Sequence, residues 1–218
     1  MMLSQTEENY LKEIYSLEEL VQKEVSTNSI AEKMQTKASS VTDMLQKLSN
    51  KKLVIYKKYK GTRLSEKGKT KAILIIRKHR LWETFLVEKL NFPWDEVHDI
   101  AEQLEHIKSE KLTNRLDAFL EYPTLDPHGD PIPNVNGKII KVNSVILADL
   151  KIKEEGVFVG VKDSSDDFLR YLNKKNIAIG DKIKVLEIEP FDNSFKIDNN
   201  STELIISESV AKNLYIKN

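Results

Sequence analysis

The run Ser26-Thr-Asn-Ser-Ile-Ala-Glu-Lys-Met-Gln-Thr-Lys-Ala-Ser-Ser-Val-Thr-Asp-Met-Leu-Gln-Lys-Leu48 reads as two short helices with a break between them. Ser26-Thr27-Asn28 opens the first, which carries Ile30, Ala31 and Met34, and Gln35-Thr36-Lys37 interrupts it. The second, Ala38 to Leu48, begins with small hydroxyl residues, as a recognition helix does. Upstream, Ser4 is a candidate N-cap for a helix over 4–21, where Leu11, Ile14, Tyr15, Leu17 and Val21 recur at helical spacing. Downstream, Leu53-Val-Ile-Tyr-Lys-Lys-Tyr59, the turn Lys60-Gly61 and the return Thr62-Arg63-Leu64 form a β-hairpin. Three helices followed by a basic hairpin predict a winged helix-turn-helix domain over residues 1–70. Lys37, Ser39, Ser40, Thr42, Asp43 and Lys47 are its candidate DNA-binding residues on the recognition helix, with Lys57, Lys58 and Lys60 on the wing. Hydroxyl and ammonium groups suit phosphate; Asp43 either accepts from a cytosine amino group or is a solvated helix residue.

Charge distribution supports that placement. The chain has 34 basic and 34 acidic residues, yet Lys33 to Lys78 carries fourteen Lys or Arg against Asp43 and Glu66. From His79 to His106 the balance reverses, with seven Asp or Glu against Arg80 and Lys89. A basic face suits a polyanion, and an acidic segment beside it collects cations. That acidic segment holds three of the four histidines. His98, Glu102, Glu105 and His106 share one helix face roughly 100° wide, and His79 and Glu83 pair one turn apart on the preceding helix. Imidazole and carboxylate so spaced suit a divalent transition metal, which makes a metal sensor the working reading.

The rest of the chain divides accordingly. A long helix from Ser65 to about Leu90, a second entered at Pro93 and running to about Ile107, and a third over 109–120 predict an all-α metal-binding and dimerisation domain at 71–122. Its apolar residues exceed what short helices bury alone, so a homodimer is expected. Glu121 to Pro133 holds four of the six prolines and reads as an extended connector over 123–144, in which His128 is given no ligand role. From Val145 to the end, short apolar runs with one helix near Asp166-Asp167 predict a small antiparallel β-barrel over 145–218. The fold class is α+β and multidomain.

Composition excludes several functions. With no cysteine, there is no disulfide, zinc ribbon, iron–sulfur cluster or thiol nucleophile. No run of 18 apolar residues exists and the N-terminus lacks a signal-peptide pattern, so a cytoplasmic protein without a membrane partner is expected. A metallohydrolase could use the same ligands, but His-Glu-x-x-His and glycine-rich phosphate loops are missing, and it leaves the basic region unexplained. A non-enzyme with no small organic substrate is the expectation.

Arg77-Lys-His-Arg-Leu-Trp-Glu83, Val97-His-Asp99, Glu102-Gln-Leu-Glu-His106 and Pro127-His-Gly-Asp-Pro-Ile-Pro133 resemble the diphtheria toxin repressor family of iron- and manganese-dependent regulators over nearly the whole chain, with a FeoA-like final segment. The resemblance implies a repressor of metal-uptake genes that binds double-stranded operator DNA as a homodimer, with two metal sites per subunit. His79, Glu83 and His98 match the ancillary site, completed by Asp167 or the nearby Asp163. Glu102, Glu105 and His106 match the regulatory site. Its ligand from the first helix falls at Asn9, where manganese members have Asp and iron members Met, and Lys12 replaces a carboxylate of some manganese members. Glu102 offers a hard oxygen donor, which favours Mn²⁺; Asn9 removes a second hard anion and leaves Fe²⁺ open. A metal-independent winged-helix regulator with a weakened site is the alternative.

Overall fold

Ser4 and Glu7 start the first helix with a capping box: the Glu7 N–H donates to Ser4 Oγ at 3.3 Å, and the Ser4 N–H donates to Glu7 Oε2 at 2.9 Å. The computed structural model describes residues 3–21, 23–57, 60–140 and 142–217. Two compact units emerge, one gathering Met1–His79, Glu102–Asn114 and Pro133–Lys138, the other Arg80–Ala101, Arg115–Ile132 and Ile139–Asn218.

In the first unit, α1 (Gln5–Val21), α2 (Thr27–Lys33) and α3 (Ala38–Asn50) precede a hairpin of β1 (Val54–Lys57) and β2 (Gly61–Leu64). Ser26 caps α2 by accepting the Ser29 N–H at 3.0 Å. Val41, Leu45 and Leu48 lie on one stripe of α3 and are fully buried, together with Leu11 and Ile14 of α1 and Ile30 of α2. The opposite side of α3, with Ser39, Ser40, Asp43 and Lys47, faces solvent. Val25 extends the hairpin by reciprocal backbone bonds of 2.9 Å with Thr62.

The helix α4 (Glu66–Leu90) contributes residues to both units. Ser65 Oγ caps it through the Gly68 N–H at 3.0 Å. Asn91, at φ 58°, ends it in a left-handed turn in which the Phe92 N–H reaches the Leu86 carbonyl at 3.1 Å. The next helix, α5 (His98–Leu104), begins later than the expected Pro93. A helical Trp94 carbonyl would accept from the residue 98 N–H; here it accepts from His128 Nε2 at 2.9 Å. The helix α6 (Glu110–Phe119) follows.

The C-terminal part of the second unit holds β3 (Val145–Ile146), β4 (Glu155–Val161), α7 (Asp166–Lys174), β5 (Lys182–Ile188), β6 (Phe195–Asn199), β7 (Thr202–Ile206), α8 (Glu208–Ala211) and β8 (Leu214–Lys217). The strands form one antiparallel sheet in the order β3-β8-β4-β5-β6-β7. It is open, with β3 and β7 as edges, which corrects the expected barrel. A two-residue β3 offers too short a ladder for closure, and the apolar face is covered instead by Leu169 and Leu172 of α7 and Ala211 of α8 over Phe158, Ile183, Val185, Ile197 and Ile216. Among the described residues, no helix is long and apolar enough to cross a membrane.

One close approach fixes the proline-containing loop to this sheet. The register of β4 against β8 shifts between Phe158 and Gly160. There the His128 carbonyl accepts the Val161 N–H at 2.9 Å. A Cβ at Gly129, whose φ is +86°, would meet the Val159 carbonyl oxygen at 2.1 Å and Gly160 Cα at 2.3 Å. Both contacts are backbone, so no side-chain rotation relieves them. Gly129→Ala is expected to destabilise the chain by at least about 2 kcal/mol, read from the urea midpoint. A loss near that of an ordinary surface substitution would show that the loop does not depend on this contact.

Candidate metal centre

Glu83, Asp126 and His128 are buried side chains of the second unit, each with a ligand atom within 4.8 Å of the others'. Glu83 comes from α4; the other two come from the segment Leu125–Pro131, an irregular loop closed by a bridge between those end residues. Asp126 organises it. Its Oδ1 accepts the His128 N–H at 2.8 Å and the Asp130 N–H at 3.0 Å, as an Asx turn does. Arg80, one turn before Glu83 on the same helix, holds the other side, with Nε 3.4 Å from Asp126 Oδ2 and Nη2 3.1 Å from Asp130 Oδ2.

His128 is fixed at both ring nitrogens. Nε2 donates to the Trp94 carbonyl, whose indole stacks on the imidazole at 6.0 Å between centroids. Nδ1 is therefore the nitrogen turned to Glu83, 3.7 Å from Oε2. Burial opposes a charge on His128, but the hydrogen bond and charge of Glu83, with Asp126, prevail and push its pKa up to about 9. For Asp126, burial, reinforced by Asp130 and Glu83, raises the carboxyl to about 7 despite Arg80. Two oxygen donors and one imidazole nitrogen, gathered out of water, fit a divalent first-row ion. In the metal-free chain the proton on Nδ1 supplies the positive charge, and a bound ion must displace it.

Of the expected ligands, Glu83 and His98 lie together in the second unit. His98 Nδ1 lies 3.4 Å from Glu83 Oε1 while its side chain is half exposed. His79 precedes Glu83 by one turn of α4, and its Nδ1 contacts Glu105 Oε2 at 2.6 Å. Asp167 points to solvent and pairs with Arg170 at 3.0 Å; Asp163 accepts the Ser165 N–H. In the first unit, α1 residues face Glu102, Glu105 and His106 one for one. Asn9 Nδ2 donates to Glu102 Oε1 at 3.0 Å, Lys12 Nζ to both oxygens of Glu105 at 2.9 Å, and Glu8 Oε2 meets His106 Nδ1 at 2.7 Å. Among the described residues, Glu102, Glu105 and His106 do not form a close three-donor group of the kind seen at Glu83. The residues of this candidate group not singled out from sequence are Asp126 and His128, the latter given no ligand role there. The signal was a histidine between two aspartates, followed by a glycine, in a segment rich in proline.

Most of the candidate DNA-binding residues are exposed. Lys37, Ser39, Ser40 and Asp43 are exposed on and just before α3, and Thr42 Oγ1 donates to the Ala38 carbonyl. Lys47 lies 3.3 Å from Glu7, to which Lys51 also binds at 2.5 Å. Burial opposes ionisation of Glu7, but these two lysines and the Ser4 N–H bring its pKa to about 2. Lys57 and Lys60 are exposed on the hairpin; Lys58 lies outside the described residues.

The iron dependent repressor N-terminal DNA binding domain matches residues 2–62, the iron dependent repressor metal binding and dimerisation domain matches 65–134, and the FeoA domain matches 145–218. The iron-dependent repressor IdeR of Mycobacterium tuberculosis is 37% identical over 133 residues, 61% of this chain and 57% of its own. The chain thus spans a little over half the length of such curated relatives. An uncharacterised helix-turn-helix-type transcriptional regulator of Methanocaldococcus jannaschii is 35% identical over 119 residues, 55% of this chain and 95% of its own. Among solved structures, a manganese-dependent transcriptional repressor in complex with manganese superposes with a TM-score of 0.85 at 32% identity, covering 96% of this chain and 98% of that one.

The two shifted groups at Glu83 act in the same direction on the metal-free fold. Asp126 keeps its proton in the fold to about pH 7 against an ordinary 3.8, so its ionisation removes stability as pH rises across that interval. His128 stabilises fully below its ordinary 6.5, and that contribution is lost as pH rises through about 9. Asp126→Asn keeps the Oδ1 acceptor and removes the charge. In EDTA its urea midpoint is expected to gain on the native chain between about pH 5 and pH 8. A gap that narrows over that range contradicts the assignment.

Proposed function

Because the chain belongs to the iron-dependent repressor family, we propose that it is a metal-responsive transcriptional repressor acting as a homodimer on double-stranded DNA, with Mn²⁺ or Fe²⁺ as its effector. The observation that carries the metal reading is the buried Glu83–Asp126–His128 group, whose ligand atoms lie within 4.8 Å of one another. A divalent ion would supply two positive charges where the metal-free chain has the His128 imidazolium, Arg80 and the proton that Asp126 keeps to about pH 7. The protein's part is positioning: the Trp94 carbonyl selects the His128 tautomer, the Asp126 turn sets the loop, and Arg80 restrains Asp126 and Asp130. Two oxygen donors to one nitrogen favour a hard ion such as Mn²⁺. His98, beside Glu83, is the further ligand we assign.

The DNA reading rests on α3 and the hairpin, which we interpret as recognition helix and wing of a domain over 1–70. The buried stripe Val41, Leu45, Leu48 leaves the side bearing Ser39, Ser40 and Asp43 to enter a groove, and Lys57, Lys60 and Arg63 stand where phosphates would pass. Dimerisation is supported by Leu90, Phe119 and Tyr122, large apolar residues of the second unit that are exposed in one chain. The wider role, control of metal-uptake genes, follows from the family reading.

DNA affinity is best read by anisotropy on a duplex selected from a random pool by the Mn²⁺-loaded protein. Mn²⁺ is expected to tighten binding by about tenfold or more, and Glu83→Gln with His128→Ala to abolish that response. Identical affinity in Mn²⁺, Fe²⁺ and EDTA would refute the regulator reading. Separately, Lys57→Ala with Lys60→Ala is expected to weaken binding to every duplex alike and to lower the log–log salt slope by about 2. A loss restricted to the selected duplex would instead make these lysines base readers.

A further inference from the structure

Glu105 is fully buried, and three groups surround its carboxylate: the Lys12 ammonium at 2.9 Å from each oxygen, His79 Nδ1 at 2.6 Å from Oε2, and His106 Nε2 at 4.0 Å from Oε1. Lys12 is itself buried, and its ammonium also lies 3.9 Å from Glu102 Oε2. Burial alone would discourage ionisation of Glu105; His79 and Lys12 reverse this and hold it below the ordinary carboxylate range. Such a position, a cation facing two oxygens of a buried carboxylate and leaning toward a second one, is that of a ligated metal ion. The difference is that this cation is covalently part of α1. A divalent ion would have to approach those oxygens to about 2.0–2.6 Å, inside the space the ammonium fills, and two cations so close repel strongly. Lys12 would then have to leave a buried site in which both its hydrogen bonds are made to Glu105.

We propose that Lys12 is a built-in cation that replaces a metal ion at Glu105, fastening α1 to the Glu102–His106 segment without metal, so that Glu105 is not a metal ligand in this chain. The flanking pairs Asn9–Glu102 and Glu8–His106 close the same seam. On the preceding functional reading, metal response then resides at Glu83, Asp126 and His128. The Lys12–Glu105 assignment does not depend on that reading, because both residues belong to the first unit and pair in the metal-free chain.

The test counts Mn²⁺ bound per chain, from the loss of the free-ion electron paramagnetic resonance signal, in the full-length protein. Glu105→Gln is expected to leave the count unchanged and the affinity within about twofold of the native chain, while lowering the urea midpoint in EDTA. Lys12→Glu, which turns the cation into a carboxylate beside Glu105, is expected to gain one Mn²⁺ per chain and a midpoint that rises with Mn²⁺. Combining it with His128→Ala keeps that gained ion apart from the Glu83 site. Loss of one ion in Glu105→Gln overturns the proposal; should that variant not fold, an unchanged count in Lys12→Glu overturns it. A native chain that binds no Mn²⁺ at all refutes the functional reading, yet a gain in Lys12→Glu would still uphold Lys12 as the cation.

Discussion

Carboxylates taken out of water must find positive charge, and most of what is distinctive in this chain follows from how four of them do so. Glu7 is served by Lys47 and Lys51, Glu105 by Lys12 and His79, and Glu83 with Asp126 by His128 and Arg80. Leaving any of them ionised and alone would cost several kcal/mol, comparable with a large part of a domain's net stability. Lysine and arginine cannot easily give up their charge near neutral pH. Imidazole can. At Glu105 the Lys12 ammonium meets both oxygens, whereas Glu83 faces the exchangeable proton on His128 Nδ1.

Local geometry holds His128 in one orientation. Its ring is held by a carbonyl on one side and an aromatic face on the other, and its backbone is tied into the bulged strand β4. The Gly129 approach to Val159 and Gly160 gives this loop a firm seat although it lacks regular structure. Stacking, a tautomer lock and an Asx turn do for the loop what a helix does for Glu83.

Elements that depend on short-range pattern were legible in the sequence. The helices α1 to α4 and the hairpin follow from caps at Ser4, Ser26 and Ser65 and from buried stripes such as Val41, Leu45 and Leu48. The acidic, histidine-rich stretch supplied Glu83 and His98, which the fold brings side by side. What sequence could not supply was pairing over distance. Asp126 and Glu83 are far apart along the chain, and a connector rich in proline reads as exposed until its backbone is seen against the sheet. The start of α5 was misplaced for a related reason, since a tertiary partner took the Trp94 carbonyl. Lys12 was visible as a departure from a carboxylate, but its direction of aim was not. Closure of the final sheet was likewise expected from strand count, whereas the helices α7 and α8 cover its apolar face.

The capping box at Ser4–Glu7 has a mechanical side. Glu7 both starts α1 and receives Lys47 and Lys51 from the far end of α3, with Leu11, Ile14, Leu45 and Leu48 buried beneath. Those contacts clamp the two helices together, so a tilt imposed on α1 passes undamped to α3. In lever terms, α3 has no hinge of its own; its angle is set wherever α1 is gripped.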